Sequence, residues 1–144
     1  MKLLIINGPN LNMLGIREKN IYGSKTLKDL KKYIVGFAKK NNIHVSFYFS
    51  NSEGKLVTRI QKAYQKVDGI VINPGAYTHY SIAILDALKA INVPYVEVHL
   101  SDIKNREEFR KQSITGMNSL KIITGLQFDS YIEGMKVLKK HLEK

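Results

Sequence analysis

The chain has 144 residues, room for one domain with a substantial core, and no cysteine, which removes disulfides and thiolate metal sites. No apolar run nears the ~20 residues needed to cross a bilayer, and the run after Met1-Lys2 is too short for a signal peptide. A single soluble, cytoplasmic domain over residues 1–144 is therefore the expectation. The formal net charge is +11, from 23 basic and 12 acidic residues. Lysines such as Lys28, Lys31, Lys32, Lys39 and Lys40 fall on the outer faces of expected helices, without the arginine–aromatic clustering of a nucleic-acid groove. That argues against nucleic acid and for a positive field suited to an anionic small molecule.

In chain order, Lys2–Asn7 is a short apolar run ending in turn residues and reads as a buried strand. Residues 7–23 form a long connection too apolar for a solvated linker, so it reads as a working lid. Thr26, with Asp29 three residues on, predicts a capped helix carrying Leu27, Leu30, Ile34, Phe37 and Ala38, ended by Asn41-Asn42. Residues 44–50 place Val45, Phe47 and Phe49 on one face of a strand, at a possible sheet edge. Ser52-Glu53-Gly54 opens a second helix, and Gly69–Asn73 is a continuous apolar strand. Ile82–Ile91 is a third helix, stopped by Asn92 and Pro94. Residues 95–100 make a fourth strand, and residues 101–119 a long connection with one helical turn near 107–111. Residues 120–125 make a fifth strand, and Asp129–Leu142 the closing helix.

Five strands alternating with helices predict a flavodoxin-like, doubly wound, five-stranded parallel α/β sheet with helices on both faces. Ligands in such sheets bind beyond the carboxyl ends of the strands, where the unusual loops 8–22, 74–80 and 100–116 fall. Nucleotide chemistry is poorly supported. The chain has neither Gly-x-Gly-x-x-Gly nor a phosphate loop, and Pro9 removes a backbone donor from the first turn.

Glu97 and His99 stand two apart, so both leave the fourth strand on one face. A carboxylate within a buried strand is costly unless paired, and His99 is the nearest partner. Such a pair fixes the imidazole tautomer and suits a general acid, although a satisfied core carboxylate is the blander alternative. Arg17 and Tyr22 in the lid form a second pair. A guanidinium favours the phenolate and can lower a tyrosine pKa by about 1–3 units, which would make Tyr22 a base. An exposed arginine beside a packing aromatic is the alternative there. Asn10, Asn12 and Asn73 offer neutral groups for hydroxyls or an enolate, and Arg106 and Arg110 can hold a carboxylate or fix hydroxyls. The histidines, at 44, 79, 99 and 141, are too scattered for a metal-ligand cluster, and no cofactor is expected.

Four blocks together carry a resemblance: Asn7-Gly-Pro-Asn-Leu-Asn-x-Leu-Gly-x-Arg-Glu-x-x-x-Tyr-Gly, Ser50-Asn-Ser-Glu-Gly, Asn73-Pro-Gly-Ala-Tyr-Thr-His-Tyr-Ser, and Glu97-Val-His-Leu-Ser followed by Arg106-Glu-Glu-Phe-Arg. In order and spacing they resemble the type II 3-dehydroquinate dehydratases over nearly the whole chain. The resemblance implies dehydration of 3-dehydroquinate to 3-dehydroshikimate in the shikimate pathway, or in quinate breakdown, by anti elimination through an enolate. It implies Tyr22 as the base at C2, Arg17 favouring its phenolate, and Asn10 and Asn73 supporting the enolate. His99, oriented by Glu97, would protonate the departing C1 hydroxyl. Leu100 and Ser101 would bind the carboxylate, and His79 and Arg110 the ring hydroxyls. Asp86 would reach a neighbouring subunit's site, in a dodecamer built as a tetramer of trimers. Asp102, Lys104 and residues 114–118 depart from the usual pattern. The unrelated type I enzymes need a barrel of about 200 residues or more, longer than this chain. A non-catalytic protein of the same fold is the competing class, and intact Arg17, Tyr22, Asn73, Glu97 and His99 argue against it.

Overall fold

A computed structural model describes every residue except Arg17, and the backbone but not the side chain of Tyr22. The expectations for the Arg17 guanidinium and the Tyr22 phenol therefore lie outside the described residues. Five strands, β1 (Lys2–Asn7), β2 (His44–Phe49), β3 (Gly69–Asn73), β4 (Tyr95–Val98) and β5 (Ile122–Ile123), pair in parallel in the order β2-β1-β3-β4-β5. This is the flavodoxin-like order, with its switch in winding direction between β1 and β3.

The two-residue period of each strand divides the core. Leu3 and Ile5 of β1, Val71 of β3 and Val96 and Val98 of β4 pack against α2 (Leu27–Lys40) and α5 (Asp129–Leu142). Leu4, Ile6, Ile70, Ile72 and Tyr95 pack against α3 (Glu53–Lys62) and α4 (Ile82–Ile91). Burial on both faces is why β1 and β3 read as unbroken apolar runs, while β4, buried throughout, is broken only by Glu97. The edge strand β2 instead alternates, with His44 and Ser46 exposed.

The caps follow the sequence closely. Asp29 N–H donates to Thr26 Oγ1 at 3.2 Å while Thr26 N–H donates to Asp29 Oδ2 at 2.9 Å, a reciprocal capping box on α2. Ser52 and Ser81 cap α3 and α4 more simply, each hydroxyl accepting from the backbone N–H three residues on, that of Lys55 and of Ile84.

Four expectations change in detail. The fourth strand stops at Val98 rather than residue 100, and the fifth contracts from 120–125 to Ile122–Ile123. At this edge only Glu97↔Ile122 and Val98↔Ile123 are in register, and Gly125, at φ 82°, turns the chain away. The lid is not open coil: it carries a 3-10 turn at Leu11–Met13 and a short helix, α1 (Lys19–Tyr22). The connection after β4 has three 3-10 turns, at Ile103–Asn105, Glu108–Arg110 and Thr115–Asn118, where one was expected.

Candidate active site

The loops after β1 and β3 meet at the switch point and fit by mutual close approach. A Cβ on Gly8 would lie 2.5 Å from the Pro74 carbonyl oxygen, and one on Gly75 2.9 Å from that of Pro9. Gly75 also sits at φ +60°, so neither position tolerates a side chain without backbone movement. Asn51 joins the β2 loop to both. Its Oδ1 accepts from Asn10 N–H at 2.9 Å, and its carbonyl accepts from the Tyr77 hydroxyl at 2.8 Å.

Between these loops and the segment after β4 lies a cavity of about 120 Å³. Asn10, Asn73, His79, His99, Leu100, Ser101 and Arg110 all line it. Of the residues expected at the site, Glu97 stands behind His99, and Asp86 is exposed on α4 without lining this chain's own cavity. Arg106 also lines the cavity, with its Nη1 donating to Ser101 Oγ at 3.3 Å and Nη2 3.9 Å from Glu18. Arg110 Nε donates to Glu107 Oε2 at 2.5 Å. Asn12 is exposed on the 3-10 turn.

Glu97 is fully buried, and His99 Nε2 lies 2.8 Å from its Oε2. An ionised carboxylate only accepts, so Nε2 carries a proton and Nδ1 is the nitrogen left uncommitted by the pair. Three hydroxyls complete the carboxylate's shell. Thr78 Oγ1 and Ser113 Oγ donate to Oε2 at 2.7 and 2.5 Å, and Thr115 Oγ1 donates to Oε1. Burial pushes the Glu97 carboxyl up. The hydrogen bond and charge of His99, with the Ser113 and Thr115 hydroxyls, outweigh it and hold the group below the ordinary carboxylate range.

Two expected results follow from this shell. Thr115→Val keeps the shape and removes one charge-assisted donor, so the chain should lose about 1.5–3 kcal/mol of stability in denaturant melts. The acid limb of stability should also depend on Glu97. Its folded pKa lies below the unfolded value of about 4.3, so its contribution is complete above that pH. The contribution is lost as pH falls through the folded value. Melting temperature against pH should therefore fall less steeply below about pH 4 in Glu97→Gln than in the unchanged chain.

His79 Nδ1 lies 2.8 Å from the Gln112 carbonyl oxygen, which can only accept, so Nδ1 carries the proton. Burial lowers the imidazole's pKa, the Gln112 bond opposes it, and His99 and Arg110 add to the lowering. A neutral His79 thus keeps an Nε2 lone pair able to accept a hydroxyl proton.

Thr78, Ser113 and Thr115 were not singled out in the sequence. Thr78 sits inside the block 73–81 and could have been suspected there. Thr115 lies in the divergent stretch 114–118, where nothing local signals a partner for Glu97. Among the described residues no three His, Asp or Glu side chains cluster as metal ligands would.

The arrangement defines an open α/β protein with acid–base groups and cationic side chains in a crevice beyond the carboxyl ends of its strands. The dehydroquinase class II profile matches residues 1–139. A 3-dehydroquinate dehydratase of Clostridium acetobutylicum is 55% identical over 144 residues, covering 100% of both chains. The crystal structure of a type II dehydroquinase from Butyrivibrio crossotus superposes with a TM-score of 0.94 at 50% identity, covering 96% of this chain and 97% of the other. That of the type II dehydroquinase from Propionibacterium acnes gives 0.90 at 36% identity, covering 96% of each. The chain belongs to the class II dehydroquinase family, and with it to the hydro-lyases.

Proposed function

We propose that this chain dehydrates 3-dehydroquinate to 3-dehydroshikimate in the shikimate pathway, as a single catalytic domain acting in the cytoplasm. The observation that carries the reading is the Glu97–His99 pair at the wall of a cavity also lined by Asn10, Asn73, His79, Arg106 and Arg110. Family membership supplies the substrate. Tyr22 takes the C2 proton as base, with Arg17 favouring its phenolate. Asn10 and Asn73 stabilise the enolate by hydrogen bonding. His99 then delivers a proton from Nδ1 to the departing C1 hydroxyl, while Glu97 stabilises the imidazole through Nε2. The Leu100 and Ser101 backbone, with the Ser101 hydroxyl, takes the carboxylate. His79 accepts from a ring hydroxyl through Nε2, and Arg110 donates to another.

The direct test is ultraviolet absorbance during incubation with 3-dehydroquinate. It should rise as the conjugated enone forms, and a flat trace with correctly folded protein would refute the reading. Turnover should also survive exhaustive chelation, since every step is assigned to a side chain. Loss restored by adding back a metal ion would overturn those assignments.

The assembly is part of the same proposal: a dodecamer, as a tetramer of trimers, in which Asp86 of one subunit pairs with Arg110 of the next. Supporting it, Asp86 is exposed and does not line its own cavity, while Tyr80, Ile82 and Met117 leave large apolar surface uncovered on the isolated chain. Asp86→Ala should raise KM for 3-dehydroquinate several-fold while the subunits stay folded. Full activity in a protein shown by light scattering to be monomeric at assay concentration would count against the shared site.

A further inference from the structure

The switch point between β1 and β3 is closed from the opposite layer by Tyr131 of α5, which has no exposed surface. Asn7 and Asn73 end their strands in register with each other, and the Tyr131 hydroxyl reaches both. The directions of these bonds follow from one unambiguous group. Gly75 N–H can only donate, and it donates to Asn73 Oδ1 at 3.1 Å. The Asn73 amide nitrogen must then face the phenol, 2.9 Å away, so the phenol oxygen accepts there. Its own proton is left for Asn7 Oδ1, at 2.5 Å. Burial pushes the phenol's pKa above its ordinary value, with the Asn73 bond opposing, so it remains a neutral hydroxyl with one proton to place.

Asn73 also lines the catalytic cavity. With its oxygen turned to Gly75 and one amide hydrogen turned to Tyr131, the second amide hydrogen is the donor it has left to offer. We infer that Tyr131 is a positioning residue for the reaction: through its hydroxyl it locks the Asn73 amide in the orientation that presents an N–H donor to the substrate oxygen. This rests on the reading of Asn73 as an enolate-stabilising contact. A donor is the polarity that contact requires, because charge on the substrate oxygen grows as the C2 proton leaves. An amide turned over would present its oxygen to that charge and repel it. The lock is built before substrate arrives, which is what makes such a donor effective.

The decisive variant is Tyr131→Phe, which keeps the ring and deletes the hydroxyl. Its kcat should fall about ten- to a hundredfold, the scale of a misplaced catalytic contact, while KM moves by no more than a few-fold. A merely structural phenol would lower the melting temperature and leave kcat per folded molecule unchanged, and that result would overturn the inference. A double-mutant cycle adds the route of action. If Tyr131 works through Asn73, Tyr131→Phe should cost little in an Asn73→Ala background, whereas multiplicative losses would show the two acting separately. The Asn73 side-chain amide resonances give a readout independent of turnover. Their exchange with solvent should be slow in the unchanged chain and faster in Tyr131→Phe, and unchanged protection would also sink the lock. Should the unchanged chain fail to dehydrate 3-dehydroquinate, the functional reading falls and the amide resonances still decide this one. If Tyr131→Phe does not fold, Asn7→Ala probes the same bond from its other end. Without its acceptor the phenol proton competes for Asn73, and kcat should again fall without a matching rise in KM.

Discussion

His99→Ala is expected to lower kcat by about 10²–10⁴-fold, the usual scale for a lost general acid, with the substrate pocket still formed. The pocket should survive because the Glu97 carboxylate keeps Thr78, Ser113 and Thr115 as donors once the imidazole is gone. A buried charge stripped of every partner would instead cost several kcal/mol and threaten the fold. Product affinity, measured by titration calorimetry, should therefore change much less than turnover. Glu97→Gln should be milder, since an amide oxygen can still accept from Nε2 of His99. A neutral amide supplies no charge to the ring, so kcat should still fall, by less than in His99→Ala. If Glu97→Gln left the rate where it was, the carboxylate would have no part in the chemistry. If His99→Ala turned over within a few-fold of the unchanged chain, the acid would have to be sought elsewhere.

What was legible in the sequence is what local periodicity encodes. Strands such as Gly69–Asn73 announce themselves because burial on both faces demands unbroken apolar residues, and the Thr26–Asp29 box marks the start of α2. Glu97 and His99 were legible for the same reason: two-residue spacing is a statement about one strand, and the 2.8 Å bond between them follows directly. The other partners of Glu97 were not. Thr78, Ser113 and Thr115 come from the β3 loop and the segment after β4, and only the packing of those loops brings them to one carboxylate. Tyr131 falls on the buried stripe of α5, but nothing in a helical stripe says that its hydroxyl reaches through to the ends of β1 and β3. The shrunken β5 shows the reverse case. Residues 120–125 look like a strand locally, yet an edge with a single neighbour and a left-handed glycine leaves only Ile122–Ile123 in the ladder.

The sharpest remaining expectation concerns Tyr22, because it separates a base from a packing aromatic. Phenylalanine keeps the ring and nearly all its apolar area, so a packing role predicts little change in stability or rate. A base role predicts the opposite pattern: folding intact, product still bound, and turnover down by about 10²–10⁴-fold or more. The lid backbone should be unaffected, since α1 is tied to the body by Gln127, whose Nε2 donates to the Ile21 carbonyl at 3.0 Å, independent of the phenol oxygen. Arg17 supplies the cross-check on mechanism. Arg17→Lys keeps the charge and loses the planar fork, so the phenolate should be less well held and the basic-group limb of kcat should move to higher pH. The measurement is kcat against pH for the unchanged chain, Tyr22→Phe and Arg17→Lys, with thermal melting as the control for folding. A Tyr22→Phe enzyme within a few-fold of the unchanged chain would remove Tyr22 as the base, and the proton at C2 would then need another acceptor near the cavity.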